Sequence, residues 1–226
     1  KGEFTVFIWL PFMWSGGGEL ALEPAKIDLA NNKGAISGLQ LWQDLVKDGS
    51  AILSAPERGF ETDAFVSGKV AMQVTGPWTL TYINNDIKDG DYGVFPIPKS
   101  ERQATSIGGE NLFLFKTRSE REKAAFEFAE YVASEDFQTE WALGTGYLPA
   151  NLKSRRSEKY QSYIDKNPTA AIFLEQAQYG RSRPVFAGYT RVSESIGRAM
   201  EAVLLGKSSP KQALKESQQR LDLIFK

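Results

Sequence analysis

The 226-residue sequence contains no cysteine and no histidine. Without cysteine there is no disulfide, no thiolate nucleophile and no thiolate zinc site. Without histidine the commonest general base and the commonest metal ligand are gone, and serine–histidine catalysis is excluded. Carboxylate chemistry is the mainstream catalytic option that survives. Neither sign of charge is in excess: 27 Lys and Arg face 28 Asp and Glu, for a net charge of -1. A nucleic-acid partner would call for a basic face, and the longest basic stretch, Lys153-Ser-Arg-Arg156, reads as a solvated loop. Long apolar runs are lacking as well. The longest, Phe4 to Trp14, falls short of the roughly twenty residues that span a bilayer and is broken by Pro11.

What is present is an ordinary globular composition, 42% hydrophobic and 24% charged, enough for a sizeable core in one or two domains. The periodicity predicts many helices and few strands. Residues 3–14, EFTVFIWLPFMW, read as a strand followed by a helix with Pro11 in its first turn, ended by the glycines after Ser15. Lys26 to Leu29 alternates as a short edge strand. Asn31 and Asn32 offer caps for a helix over 34–47, which carries Leu39 and Trp42 on its apolar face. A second amphipathic helix is expected from Arg58 to Ser67. Strands are expected at Val70–Val74, Tyr92–Phe95 and Asn111–Phe115. Ser119 stands ahead of a strong helix bearing Ala124, Ala125, Phe128, Ala129 and Val132, and a helix over 136–143 holds Trp141, read as core. The C-terminal third is helical, with Pro210 at a helix start. Strands alternating with helices indicate an α/β architecture.

The stretch Gly76-Pro77-Trp78 poses a specific question. Proline suits the first helical position, so strand, turn and helix start are expected in succession. An aromatic there sits at the carboxyl end of a strand, where open α/β sheets bind ligands. The competing reading has Trp78 capping the core.

Seven motifs in order carry a resemblance: FIWLPFMWSGGGE, AFVSGKVAM, GPW, YGVFPIP, GGENLFLF, GYLPAN and GYTRVSESIGRAMEAVLLGKSSPKQAL. The series resembles the extracellular solute-binding proteins of ABC transporters, in the sugar-binding, maltose-binding-protein-like branch. The resemblance implies a type II periplasmic-binding-protein-like α/β fold, here mainly the C-terminal lobe plus a strand–helix segment of the N-terminal lobe, with most of that N-terminal lobe lacking. It implies that residues 1–107 and 151–226 belong to the C-terminal lobe and 108–150 to the crossover segment. A swapped dimer or a separately supplied N-terminal lobe would complete such a chain. The implied function is non-enzymatic: capture of a sugar or oligosaccharide in an interlobe cleft and delivery to membrane permease subunits. No cofactor and no nucleic acid take part. The implied location is periplasmic or extracellular, with a lipoprotein anchor on the full-length form.

Sugar recognition combines aromatic rings against C–H faces with polar groups on the hydroxyls. The chain's 5 Trp, 8 Tyr and 14 Phe could supply such walls. By the resemblance Trp78 is the cleft tryptophan, and Trp9 and Trp14 lie on the segment lining the cleft, with core packing as the competing reading for both. Gly108 and Gly109 permit close backbone approach, and Glu110 and Asn111 follow at the crossover. Tyr147 lies in the GYLPAN loop. Arg181, Arg183 and Tyr189 lie in a loop that returns to the cleft in relatives. An arginine there could hold a hydroxyl, a carboxylate or a phosphate. A binder of another polar solute, such as a glycerol phosphodiester, is therefore the second reading. A carbohydrate-active enzyme using paired carboxylates, with Glu19, Asp63 and Glu110 as candidates, is the third.

Overall fold

The computed structural model describes residues 2–23, 26–53, 63–87 and 92–225. In chain order the elements are helix α1 (Glu3–Ser15), strands β1 (Ala21–Glu23) and β2 (Lys26–Ile27), α2 (Lys33–Lys47), α3 (Leu80–Asp86), β3 (Thr105–Ser106), α4 (Ser119–Ala133), α5 (Glu135–Thr145), α6 (Leu152–Arg156), α7 (Glu158–Lys166), α8 (Pro168–Gln176), β4 (Gly180–Arg181), α9 (Tyr189–Leu204) and α10 (Pro210–Ile224). They divide into two units. Unit 1 comprises Lys1–Ala64, Ile97–Gly108 and Tyr179–Lys226; unit 2 comprises Phe65–Pro96 and Gly109–Gln178.

Unit 1 is built around α1. Its sequence is apolar on every side, which is the pattern of a helix buried all round. Val6, Trp9, Leu10, Met13 and Trp14 are all buried. The expected strand before Pro11 is therefore replaced by one continuous helix. Pro11 lies inside it and deprives the Phe7 carbonyl of its helical donor. Ser106 supplies the substitute, its Oγ donating to the Phe7 carbonyl at 2.7 Å. Against α1 pack α2 and α9, and α10 packs in turn against α9 and α2. Gly34 and Gly38 of α2 face the α1 backbone so closely that a Cβ at 34 would collide with the Met13 carbonyl. Helix α9 contributes Val192, Ile196, Ala199, Met200 and Val203, and α10 contributes Ala213, Leu214 and Leu221, each at helical spacing. Of the two candidate caps it is Asn32 that serves. Its Oδ1 accepts from the Ala35 amide at 2.9 Å, and its Nδ2 donates to the Glu19 and Asp28 carbonyls at 2.8 and 3.1 Å. Strands β1 and β2 pair antiparallel, and β3 and β4 pair parallel.

Unit 2 is helical, with α3 to α8 and no paired strand among the described residues. The three strands expected at 70–74, 92–95 and 111–115 are not strands here. A strand exists through the hydrogen bonds of a neighbour, and none is provided within the described residues. Several of their large apolar side chains stay in the open: Met72 is 68% exposed, Phe113 75% and Phe115 82%. The helix expected over 58–67 falls partly outside the described residues, and 64–68 form a turn. Helix α4 starts at Ser119 itself, and the Glu122 carboxylate accepts from the Thr117 amide at 2.5 Å. No α4 residue is fully buried, and Phe126, Phe128 and Tyr131 are exposed. Trp141 of α5, expected in the core, is half-exposed and stacks on Phe137 with centroids 5.7 Å apart. Trp42 of unit 1 does pack against the core, edge-on to Phe12 at 5.6 Å. Below α5 a buried hydroxyl pair, Thr139 and Ser154 at 2.8 Å, ties in α6. No helix among the described residues is long and apolar enough to cross a membrane.

Candidate functional site

In unit 2 the Gly76-Pro77-Trp78 stretch starts a single helical turn, Pro77–Thr79, that runs into α3. Pro77 takes the first helical position, as expected. Gly76 is needed because the Trp78 indole folds back over it, and any Cβ at 76 would strike the ring. Helix α5 ends at Gly146, which adopts φ 80° as a left-handed cap. A Cβ there would also lie 2.6 Å from the Pro77 carbonyl. Two glycines thus let the turn and the end of α5 approach.

That approach places Tyr147 beside Trp78, ring centroids 6.4 Å apart and planes inclined by 39°. The Tyr147 hydroxyl in turn donates to Glu110 Oε1 at 3.3 Å. Burial, then the Glu110 charge and this hydrogen bond, push the Tyr147 phenol above its ordinary value. It is therefore a protonated donor throughout the neutral range. Trp78 and Tyr147 are half-buried, whereas Glu110 is exposed. Gly109 and Asn111 flank Glu110 on exposed backbone, and a Cβ at 109 would meet nothing within 4 Å. Two aromatic rings, one of them a phenol, and a carboxylate thus gather from three separate stretches of chain. A shallow groove of about 380 Å³ also lies on unit 2, beside Tyr131, Asp136, Phe137, Glu140 and Trp141. It contains none of the residues expected to bind.

The other expected residues lie in unit 1. Trp9 is fully buried in α1, and its Nε1 finds no hydrogen-bond partner among the described residues. Trp14 is 2% exposed, and the Arg181 guanidinium covers its ring at 5.3 Å from the centroid. Both tryptophans occupy core positions. Arg181 bonds Glu19 Oε2 at 2.5 Å, and Arg102 bonds Glu19 Oε1 at 2.6 Å. Burial raises the Glu19 carboxyl, but hydrogen bonds and charge from Arg181 and Arg102 outweigh it and hold the group below its ordinary value. Arg183 repeats the pattern at the other end of α1, with its guanidinium 5.2 Å from the Phe7 centroid and bonded to Glu3 Oε1 at 2.5 Å. Tyr189 donates to the same carboxylate oxygen at 3.3 Å, and Ser193 donates to Glu3 Oε2. Burial, then the Glu3 charge, push the Tyr189 phenol well up.

Glu3, Arg102 and Ser193 escape the reading of the sequence, and Glu19 enters it only as a catalytic carboxylate. The available signal is that Glu3 and Glu19 bracket an otherwise apolar helix, where an unpaired carboxylate would be out of place. The arginines are more than 80 positions away from Glu19 and about 180 from Glu3. Glu19 and Glu110 are each engaged within their own units, by two arginines and by a tyrosine.

A family model described as bacterial extracellular solute-binding protein matches residues 3–169. A galactooligosaccharide-binding protein of Bacillus subtilis is 28% identical over 192 residues, 83% of this chain and 44% of that protein. An sn-glycerol-3-phosphate-binding periplasmic protein of Pectobacterium atrosepticum is 27% identical over 207 residues, 87% of this chain and 46% of that one. The structure of a sugar-binding protein from Xanthomonas citri superposes with a TM-score of 0.81 at 20% identity, covering 99% of this chain and 56% of that chain. This last likeness is one of fold: a partial, mostly helical portion of the type II binding-protein architecture. The chain spans about half the length of the curated relatives it matches.

Proposed function

Because the chain belongs to the bacterial extracellular solute-binding protein family, we propose that it serves the capture of a neutral sugar or oligosaccharide for an ABC importer and its delivery to the permease subunits. The observation that carries this reading is the grouping of Trp78, Tyr147 and Glu110. Trp78 offers a flat face for the C–H surface of a sugar ring. The Tyr147 hydroxyl and the Glu110 carboxylate offer a donor and acceptors for its hydroxyls. Gly109 and Asn111 flank that carboxylate and complete the proposed contact surface. The role is one of binding, without turnover. The family's lobe division, with 108–150 as the crossover segment, belongs to the same reading, as does a periplasmic or extracellular location with a lipoprotein anchor on the full-length form.

A glycerol phosphodiester is the second reading, because a relative is named for glycerol phosphate. It would need a cation at the phosphate. Arg181 and Arg183 are each bonded to a glutamate already, which favours the neutral ligand. Tyr189 acts in this reading through Glu3, by holding the start of α9.

Titration calorimetry of the chain against neutral saccharides and against glycerophosphodiesters tests the proposal. Saccharide binding is expected, and Trp78→Ala should weaken it at least about tenfold, as loss of a stacking ring does. Binding of the phosphodiester alone, or saccharide binding indifferent to Trp78, would overturn it.

A further inference from the structure

Near the C-terminal end of α1, two arginines of unit 1 converge on one carboxylate. Arg102 Nη2 lies 2.6 Å from Glu19 Oε1, and Arg181 Nη2 lies 2.5 Å from Glu19 Oε2. Each guanidinium also has anchors of its own. Arg102 donates from Nε to the Trp14 carbonyl at 2.8 Å and from Nη2 to the Gly18 carbonyl at 3.4 Å. Arg181 rests on the Trp14 ring, and its backbone carbonyl accepts from the Ile107 amide at 2.9 Å. Two guanidiniums positioned in this way define a place for one anion with two oxygens to share. Carboxylates and phosphates both satisfy that description. Solvent reaches the place, because Arg102, Arg181 and Glu19 keep 44%, 33% and 36% of their side-chain surface exposed. A dissolved anion therefore competes directly with the resident one.

We infer that Glu19 sets the charge selectivity of this arginine pair: by bridging Arg102 and Arg181 it keeps them from capturing phosphate-bearing solutes. The inference deepens the neutral-saccharide reading and rests on it. Glu19 is suited to the task because the same two arginines keep it ionised. A glutamine in its place would keep the volume and lose the charge. Its amide carbonyl could accept from one guanidinium, but its N–H₂ would face the other as a second donor. The pair would then be short of an anion, and a phosphate would supply it. The Glu3–Arg183 pair at the opposite end of α1 follows the same plan, with a guanidinium on a ring and closed by a carboxylate. Both arginines of the returning segment are thus answered from within the unit.

The test is Glu19→Gln in the 226-residue chain, titrated with inorganic phosphate and with sn-glycerol 3-phosphate, and checked for native helix content by circular dichroism. Affinity for both probes should rise at least about tenfold over the unaltered chain, as expected for charge-assisted bonds to a guanidinium pair. The gain should weaken as salt is added and vanish when Arg181→Gln is combined with it. Should Glu19→Gln lose its fold in plain buffer, the same inference demands rescue: phosphate restores helix content, and chloride at equal ionic strength does not. A folded variant with unchanged phosphate affinity overturns the inference. So does a gain that survives Arg181→Gln, an unfolded variant deaf to phosphate, or an unaltered chain that already binds phosphate as tightly. A chain that binds no saccharide, while Glu19→Gln still gains phosphate, would overturn the saccharide reading and leave the role of Glu19 standing.

Discussion

Apolar stretches of unit 1 and of unit 2 end up in different surroundings. In unit 1 a mostly apolar helix packs against α2, α9 and the β3 strand, and Trp9, Leu10 and Met13 reach complete burial. In unit 2 the run Leu112-Phe-Leu-Phe115 is as apolar as anything in α1, yet each of its residues is at least half-exposed. The difference is one of partners. Helix α1 satisfies its interior backbone by itself, apart from the carbonyl opposite Pro11, and draws on neighbours for its last carbonyls and its side chains. An extended segment needs neighbours for both backbone and side chains. With no ladder partner in the described residues it secures neither.

The sharpest way to test this contrast is to cut one large side chain in each unit. Leu10→Ala should destabilise the chain by about 2–5 kcal/mol, the usual loss for a fully buried leucine. Phe113→Ala should change stability by no more than about 0.5 kcal/mol, as for surface positions. Urea unfolding of the two variants measures both, and equal losses would erase the distinction. A second effect concerns association. The exposed run should draw chains together, so sedimentation should show a concentration-dependent dimer or larger species that Phe113→Lys with Phe115→Lys disperses. A strictly monomeric chain with the 111–115 amides protected from hydrogen exchange would show that this segment is covered after all. A smaller effect is expected inside unit 1. Ser106→Ala removes the donor to the Phe7 carbonyl and should cost about 1 kcal/mol, while Ser106→Thr retains the hydroxyl and most of the stability.

The smallest effect is in the pH dependence. The folded carboxyl of Glu19 titrates below its unfolded value. Its contribution is therefore present above the ordinary carboxylate range and is lost as pH falls through the lowered folded value. The group is more than a third exposed, so solvent screening keeps the contribution small. Glu19→Gln should slightly flatten the acid limb of a stability–pH curve and leave its shape above that range unchanged. A variant whose loss relative to the unaltered chain is smaller below the carboxylate range than at pH 7 would agree with this; one that loses as much at both, or that steepens the acid limb, would not.

The parts of the fold legible in the sequence are those whose signals are local. Helices α2, α9 and α10 follow from apolar spacing and from Asn32 and Pro210 at their starts. The strand expectations fail because residue preference speaks for an extended backbone but cannot supply a partner. Trp141 misleads for a related reason: its helix has an apolar face, and among the described residues Phe137 is its ring partner. At the candidate site the importance of Gly76-Pro77-Trp78 can be read directly. The contact of Tyr147 with Glu110 spans 37 positions and has no local signature. The engagement of Arg181 by Glu19, across 162 positions, has none either.

Pro11 has a consequence for the order of events in folding. A helix without it could complete its hydrogen bonds as soon as its own residues wound up. Here one carbonyl waits for a hydroxyl 99 positions further along the chain. The central helix of unit 1 thus gains this hydrogen bond only when the β3 segment docks, which couples local winding to long-range closure. A chain elongating from its N-terminus would hold α1 unfinished until residue 106 had been made, and would postpone commitment of this core until the segment that anchors Arg102 and Arg181 was at hand.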